Sequence, residues 1–230
     1  MVIWHTITAF SQKKNMAKDW SLIDKKSRIT LLILGSVFIG DLLFIVLEKE
    51  PLRFFSKTLL MPLLLFFYWL ASQKSNQPKQ NLFIAGLILS WFGDVFLLFD
   101  WGFIAGLGSF LLAHICYIFC LKKLSISKAL LSLPLIIVYL FTFLIFLFPH
   151  LGDMKIPVIL YALCISGMLY FSLKTKQILL IIGAVFFVIS DSVLAINLFV
   201  NPSKILGFLV MFTYVLAQTF LALGFLKSTK

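Results

Sequence analysis

Long runs of apolar residues, separated by short polar segments, fill the chain from residue 30 onward. A helix that crosses the hydrocarbon core of a bilayer needs roughly 20 consecutive, mainly apolar residues. Eight windows approach or reach that length: 30–47, 58–71, 81–99, 102–121, 129–148, 156–173, 178–199 and 205–226. The pattern predicts an all-α, polytopic membrane protein, a bundle of eight transmembrane helices. The second window is short and contains Pro62, so this helix either begins earlier, near Phe54, or is kinked.

The polar segments leave no room for a soluble domain. Residues 1–29 are polar and basic, and we interpret them as a cytoplasmic N-terminal tail before a transmembrane domain at 30–226. The tail has no apolar stretch followed by small residues, so we expect no cleaved signal peptide, and Met16 is an alternative start. The composition agrees, since 61% of the residues are hydrophobic, against about 45–50% in soluble domains.

Basic residues predict the orientation of the helices. Fifteen of the 20 Lys and Arg residues lie in the tail, in alternate loops and at the C-terminus, and five lie on the opposite side. Because Lys and Arg accumulate in cytoplasmic loops, both termini are predicted to be cytoplasmic. The net charge of +11 has the same origin and does not favour nucleic acid as a partner. We expect an integral protein of a bacterial inner (plasma) membrane.

Two carboxylates lie deep inside apolar windows. Asp94 follows Ser90-Trp91-Phe92-Gly93, and Asp191 follows Ser190 in a similar setting four windows later. A charged side chain at mid-bilayer costs at least ~2.5–3.5 kcal/mol on insertion scales, so it indicates a functional site. We interpret Asp94 and Asp191 as a catalytic or ion-coupling pair, one an acid and the other a base. The alternative is a structural hydrogen bond between helices.

Two further ionisable residues fall at a similar depth. Asp41, Asp94 and Asp191 each lie about two-thirds of the way along an outward-running helix, and His114 lies near the middle of an inward-running one. We therefore expect all four to face the bundle interior or a wet cavity, slightly outside the midplane. For Asp41 a structural role is an equal alternative, because a first helix is often peripheral.

Several polar residues are predicted to contact a ligand in this cavity. Phe110, His114 and Tyr117 share one helical face, at positions i, i+4 and i+7. That face suits a polar pocket, although a histidine satisfied within the core is an equal alternative. Ser190 and Asn197 form one stripe of the seventh helix and either bind a head group or join helices.

Lys57 is predicted at the outer end of the second helix. A lysine there usually extends its ammonium to the interface, and the alternative is binding of a phosphate. With a single histidine at bilayer depth we expect no metal site. The sequence also lacks GxSxG, HExxH, Walker and GxGxxG motifs, so serine hydrolysis and nucleotide chemistry have no support.

The sequence resembles the YhhN family, the lysoplasmalogenase group of membrane proteins, over residues 54–226. The resemblance is carried by Lys57 with Met61-Pro62, Ser90-x-x-Gly93-Asp94-x-x-Leu97, Gly106-x-x-x-Phe110-x-x-x-His114-x-x-Tyr117 and Gly183-Ala184-x-x-Phe187-x-x-Ser190-Asp191-x-x-Leu194-Ala195. It implies a hydrolase that cleaves the vinyl-ether bond of a lysoplasmalogen-like lysophospholipid, releasing a fatty aldehyde and a glycerophospho-base. Enol-ether hydrolysis begins with proton transfer to carbon, which a general acid performs without a cofactor.

On this interpretation Asp94 and Asp191 are catalytic and no cofactor or metal is needed. The substrate is a lysophospholipid from the surrounding membrane lipid, and no obligate protein partner is inferred. The expected substrate-binding residues are Lys57, His114, Tyr117, Ser190, Asn197 and Asp41. The alternative is a proton-coupled transporter of a small amphiphile or lipid that uses the same aspartates as a relay. A weak parallel repeat, with one aspartate in the third and one in the seventh window, favours that alternative slightly.

Overall fold

The computed structural model describes residues 24–74, 80–126 and 132–228. Within them the chain forms eight α-helices and no strand, which confirms the all-α prediction. Short 3-10 turns stand at Asp100–Gly102, Phe148–His150 and Gly152–Met154. The helices are α1 Lys25–Val46, α2 Glu50–Lys74, α3 Asn81–Phe96, α4 Phe103–Leu124, α5 Ser132–Leu147, α6 Lys155–Thr175, α7 Ile178–Phe199 and α8 Lys204–Lys227.

Seven of the described helices, some with their adjoining 3-10 turns, are long and apolar enough to cross a membrane. A polytopic membrane bundle is thereby confirmed. The exception is α3, whose 16 residues span only ~24 Å at 1.5 Å per residue. The predicted window 81–99 was too long, because a turn follows the helix at Leu97. As a result, Asp94 lies in the last turn of α3 rather than two-thirds of the way along it.

The second and first helices begin earlier than the sequence predicted. Helix α2 starts at Glu50 and contains Pro62 within its 25 residues, so the window 58–71 missed its first two turns. Helix α1 starts at Lys25, where the carboxylate of Asp24 accepts a hydrogen bond from the amide of Ser27 at 2.9 Å.

The rest of the predicted tail, residues 1–23, lies outside the described residues. So do residues 127–131, at the start of the fifth predicted window.

Pro62 ties α2 to α3. Proline has no amide hydrogen, so the carbonyl of Thr58, one turn earlier, loses its helical donor. The indole Nε1 of Trp91 on α3 donates to this carbonyl at 2.9 Å. Side chains from a neighbouring helix often satisfy such a carbonyl in membrane proteins. The bond fixes this part of α2 against the end of α3.

The helix pairs α3–α4 and α7–α8 are tightly packed antiparallel hairpins. A Cβ atom at Gly93 would stand 2.6 Å from the ring of Phe110, so only glycine allows α4 to approach α3 this closely. The hydroxyl of Ser109 on α4 also donates to the carbonyl of Leu89 on α3, at 2.6 Å. Small residues at such contacts drive helix association in lipid, where burial of apolar surface gains little.

In the half of the bundle that contains the start of α1 and the end of α8, the interior is an aromatic core. Phe83 is fully buried and its ring centroid lies 4.8 Å from that of Tyr68 and 4.5 Å from that of Phe225. Large apolar side chains cover the outside instead; Ile39, Leu135 and Ile145 are examples with more than half of their surface exposed. The opposite half of the bundle, where α2 and α8 begin, holds a polar cavity.

Candidate functional site

A cavity between α2, α3, α4, α7 and α8 contains most of the polar residues singled out from the sequence. It encloses about 520 Å³ of space, including its open mouth. Five of the predicted site residues line it: Lys57, Asp94, Ser190, Asp191 and Asn197. Arg53 and Tyr214, which the sequence did not single out, line it too. The two aspartates, four helices apart in sequence, therefore border one space.

Asp94 is held by a tyrosine from another helix. Its side chain is almost completely buried, and its Oδ2 accepts a hydrogen bond from the hydroxyl of Tyr214 on α8 at 2.7 Å. Lys57 on α2 lies close enough to interact with it electrostatically. A cation and a hydroxyl donor are both groups that interact favourably with a carboxylate.

Asp191 also accepts a hydrogen bond from a tyrosine, but its surroundings are more apolar than those of Asp94. The hydroxyl of Tyr161 on α6 donates to its Oδ2 at 2.6 Å. Asp191 also borders two apolar grooves besides the polar cavity. It is the one residue that all three of these spaces share, so a ligand in any of them would meet this carboxyl group.

His114 lies directly behind Asp191 and does not line the cavity. Its Nδ1 is 2.8 Å from the carbonyl of Phe110, and because a carbonyl only accepts, Nδ1 carries the hydrogen. Nε2 lies 3.9 Å from Oδ2 of Asp191 and has no hydrogen-bond partner among the described residues. The ring packs edge-on against Tyr161, with centroids 5.3 Å apart. His114 therefore contacts the Asp191–Tyr161 pair from the side away from the cavity.

Tyr117 belongs to a buried network below the cavity. Its hydroxyl lies 3.1 Å from that of Ser90 and donates to Oε1 of Gln218 at 3.0 Å, while Nε2 of Gln218 donates to Ser90 at 2.9 Å. All three side chains are fully buried. The network closes the cavity toward the termini and joins α3, α4 and α8.

Lys57 and Arg53 stand one turn apart on α2 and both face the cavity. Lys57 is only 7% exposed. The sequence left open whether its ammonium extends to the interface or binds a phosphate, and the longer α2 places this residue inside the bundle. Arg53 contacts Glu50 at 3.5 Å, but its Nε is buried and unpaired among the described residues.

Asp41 is fully buried behind α2 and is not among the residues that line the cavity. Its Oδ1 accepts a hydrogen bond from the hydroxyl of Ser56 at 2.6 Å. Arg53 and Lys57 interact with it electrostatically. Asp41 thus supports the turn of α2 that carries the two cations.

Ser190 and Asn197 use their side chains for contacts between helices. The hydroxyl of Ser190 donates to the carbonyl of Val210 at 3.1 Å. Oδ1 of Asn197 accepts from the amide of Ser203 at 2.7 Å, at the start of α8. Both residues still border the cavity, so the contacts leave open a second interaction with a ligand.

Two apolar grooves start at Asp191. The α4–α6 groove is lined by Leu97, Phe103, Leu107, Phe110, Val158, Tyr161, Asp191, Leu194, Ala195, Leu198 and Phe199. The α5–α6 groove runs on the other side of α6 and includes Leu140, Leu144, Ala162 and Ile165. The first shares Leu97, Phe110 and Leu194 with the polar cavity in addition to Asp191, whereas the second shares Asp191 alone. The α4–α6 groove is therefore continuous with the polar cavity.

The site can serve acid–base chemistry on an amphiphilic molecule. Two carboxylates, each held by a tyrosine hydroxyl, border one space with cations at one side and apolar grooves at the other. Within the described ranges no group of three or more His, Cys, Asp or Glu side chains is arranged to hold a metal ion. The two carboxyl groups and the tyrosine hydroxyls bonded to them can donate and accept protons.

Comparison with known proteins connects this site to a family. The model of the YhhN family matches residues 52–225. A protein of Mycobacterium bovis named lysoplasmalogenase is 32% identical over 159 residues, which cover 64% of this chain and 61% of the relative. A human protein named lysoplasmalogenase TMEM86B is 31% identical over 163 residues, 70% of each chain. The chain thus spans about three-fifths of the length of the mycobacterial relative.

No solved structure matches the chain. The family model, by contrast, covers all five helices that form the cavity and extends from the first turns of α2 to near the end of α8. It includes both aspartates, their tyrosine partners and the two cations of α2 that line the cavity. The chain belongs to the YhhN family.

Proposed function

We propose that this protein is a membrane-embedded hydrolase that cleaves the vinyl-ether bond of lysoplasmalogen-like lysophospholipids in a bacterial plasma membrane. The observation that carries the proposal is the shared cavity of Asp94 and Asp191, polar at one side and apolar at the other. Such a cavity fits a lysophospholipid, in which a polar head and an aliphatic chain meet next to the vinyl ether. The names of the mycobacterial and human relatives support the same reaction.

The surroundings of the two aspartates divide their roles. Asp94 is close to Lys57, and a carboxylate beside a cation suits the base. Asp191 faces the apolar grooves, where the scissile bond of a bound lipid would lie, and it suits the acid. Tyr161 and Tyr214 hold the two carboxyl groups in fixed orientations. In this assignment Asp191 starts protonated and Asp94 starts ionised, as an acid and a base require.

The reaction proceeds in three proton-balanced steps. Asp191 donates its proton to the β-carbon of the vinyl ether, leaving an oxocarbenium ion that both carboxylates stabilise, as in glycosidases. Asp94 then accepts a proton from a water molecule as the water oxygen bonds to the cationic carbon, which gives a hemiacetal. Finally the hemiacetal hydroxyl returns a proton to Asp191, Asp94 protonates the departing glycerol oxygen, and the carbon–oxygen bond breaks. The products are a fatty aldehyde and a glycerophospho-base.

The remaining predicted site residues have supporting roles in this proposal. Ser190 and Asn197 border the head-group side of the cavity, where their polar atoms can meet the glycerol. His114 and Tyr117 lie one layer away from the cavity, behind Asp191 and below Asp94 respectively. We assign them to positioning of the carboxyl groups rather than to direct contact with substrate.

The cavity is closed on the side of the termini, which suits a hydrolase that takes its substrate from one side only. On the side of the termini, the network of Ser90, Tyr117 and Gln218 and the rings beyond it are fully buried. The apolar grooves, in contrast, give a lipid lateral access to Asp191.

Product analysis tests the proposal. Purified protein is incubated with an alkenyl lysophospholipid and, in parallel, with the corresponding saturated alkyl ether. We expect aldehyde from the alkenyl substrate only, because the alkyl ether has no double bond to protonate. Absence of aldehyde, combined with proton-coupled uptake of the lipid into proteoliposomes, would replace the hydrolase with the transporter.

A further inference from the structure

The two cations of α2 that line the cavity have no place in the proton transfers described above. Lys57 makes no hydrogen bond or ion pair of 4 Å or less with a described residue, although it lies almost entirely inside the protein. Nε of Arg53 is likewise buried without an acceptor in the described part of the chain. Burial of a charge is costly unless the charge is paired and hydrogen-bonded. We therefore expect a ligand in the cavity to supply the acceptors that Lys57 and Nε of Arg53 lack.

Among the described residues, the carboxylates nearby leave Lys57 and Nε of Arg53 without a direct acceptor. Glu50, on the exposed side of α2, reaches only NH1 of Arg53, at 3.5 Å. Asp41 and Asp94 interact with Lys57 through space, and they accept their hydrogen bonds from a serine and a tyrosine hydroxyl instead. Arginine and lysine one turn apart on the same helical face form an arrangement suited to the oxygens of a phosphate.

Of the two apolar grooves that start at Asp191, one is continuous with the polar cavity. From Lys57 the polar cavity passes Asp94 to Asp191, and from there the α4–α6 groove continues it through Leu97, Phe110 and Leu194. The α5–α6 groove meets the cavity at Asp191 alone. A molecule with a phosphate at one end and a chain at the other would fit along the first path.

We propose that Arg53 and Lys57 form a phosphate subsite for the phosphodiester of a lysophospholipid, and that its aliphatic chain occupies the α4–α6 groove. The glycerol carbons and the ether bond then lie between Asp94 and Asp191. The identity of the lipid rests on the proposed function, whereas the phosphate subsite and the direction of the chain rest on the cations and the grooves alone.

The phosphate subsite is tested with ligands that cannot be cleaved. Apparent affinities are measured from ligand-induced thermal stabilisation of the purified protein. The ligands are a saturated alkyl-ether lysophosphatidylethanolamine and the same alkylglycerol without phosphate. For Arg53→Gln and for Lys57→Gln we expect about tenfold weaker binding of the lysophospholipid, about 1.4 kcal/mol, and unchanged binding of the alkylglycerol. Lys155→Gln is the control, because this lysine lies at the same end of the bundle and does not line the cavity.

The responses to the two ligands decide whether Arg53 and Lys57 bind the phosphate of a lipid. Equal losses for both ligands, or no loss for either, would overturn the phosphate subsite. Displacement of the lysophospholipid by submillimolar inorganic phosphate would assign the site to free phosphate instead of a lipid. If the lysophospholipid binds through Lys57 while its alkenyl analogue yields no aldehyde, the subsite stands and the proposed hydrolase fails.

The direction of the chain is tested with matched substitutions in the two grooves. Leu107→Trp fills the α4–α6 groove and Leu144→Trp fills the α5–α6 groove. We expect about tenfold weaker binding of the long-chain lysophospholipid to Leu107→Trp and little change with Leu144→Trp. Leu198→Trp, at the more exposed margin of the α4–α6 groove, serves as a second variant if Leu107→Trp does not fold. The reverse pattern would place the chain in the α5–α6 groove and overturn this part of the proposal.

Discussion

At the scale of single residues, each aspartate of the site is paired with a tyrosine from a different helix. Tyr214 donates to Asp94 at 2.7 Å and Tyr161 donates to Asp191 at 2.6 Å. A hydroxyl donor fixes the orientation of a carboxyl group and leaves its second oxygen for a reacting molecule. This arrangement makes each tyrosine a positioning residue.

Removal of either hydroxyl should therefore lower turnover more than stability. For Tyr214→Phe and Tyr161→Phe we expect kcat to fall by about tenfold or more, because each carboxyl group is ionised during the reaction and loss of one hydrogen bond to a charged group costs about 1.5–3 kcal/mol. The measurement is aldehyde release at saturating substrate, with the melting temperature as a check on folding. Tyr139→Phe is the control, because its hydroxyl contacts Ser192 on an exposed side of the bundle. Unchanged kcat in both variants would contradict the positioning role.

Much of the site could be predicted from residue types alone. A carboxylate in an apolar window is costly, so Asp94 and Asp191 were recognisable in the sequence, and both border the cavity. Tyr161 and Tyr214 could not be recognised in the same way, because a tyrosine in a membrane helix has many uses and nothing local identifies its partner. Their role depends on contacts between residues distant in sequence, which only the fold reveals.

At the scale of elements, α2 explains the main error of prediction. Its first two turns contain charged residues, so the apolar window appeared to begin at residue 58. With the helix starting at Glu50, Arg53 and Lys57 become one face of a single helix. The spacing of four residues was visible in the sequence, but the polar character of the segment favoured a loop. Charged side chains that face a cavity lower the apolar content of a segment, so a search for apolar windows misses the part of the helix that carries them.

Pro62 and Trp91 provide a test of how α2 is joined to α3. Trp91→Phe removes the donor to the carbonyl of Thr58 and leaves that carbonyl unpaired, which should cost about 1–3 kcal/mol. Pro62→Ala restores an amide hydrogen at the position that normally serves this carbonyl. We therefore expect Trp91→Phe to lower the melting temperature by several degrees in the native background and by much less in the Pro62→Ala background.

The double-mutant cycle isolates this bond from general effects of losing an indole. Trp101→Phe is the control, because the side chain of Trp101 is 71% exposed. Equal destabilisation by Trp91→Phe in both backgrounds would contradict the proposed link between the proline and the indole.

At the scale of the whole molecule, the interior of the bundle is closed by packed rings in one half and open as a polar cavity in the other. The closed half contains the aromatic core and lies on the side of the termini, and the open half contains the cavity and the ends of the grooves. The distribution of Lys and Arg predicts that the closed half faces the cytoplasm. In that orientation the cavity is reached from the outer leaflet or from outside.

Topology reporters test this orientation. An alkaline phosphatase inserted at Gly152, between α5 and α6, should be active because that turn lies on the predicted outer side. The same reporter at the C-terminus should be inactive, and a fluorescent protein there should fluoresce. The opposite pattern would turn the cavity toward the cytoplasm and assign the substrate to the inner leaflet.

The central claim, hydrolysis by an intramembrane carboxylate pair, is tested most directly by aldehyde release from an alkenyl lysophospholipid. Wild-type protein is compared with Asp94→Asn and Asp191→Asn, and with Asp100→Asn, which alters an exposed aspartate outside the cavity. We expect at least a ~100-fold loss of turnover in the first two variants, the range of general acid–base catalysis, and wild-type turnover in the control. Folding is verified by the melting temperature. Wild-type turnover in a folded Asp94→Asn or Asp191→Asn protein would contradict hydrolysis by this pair.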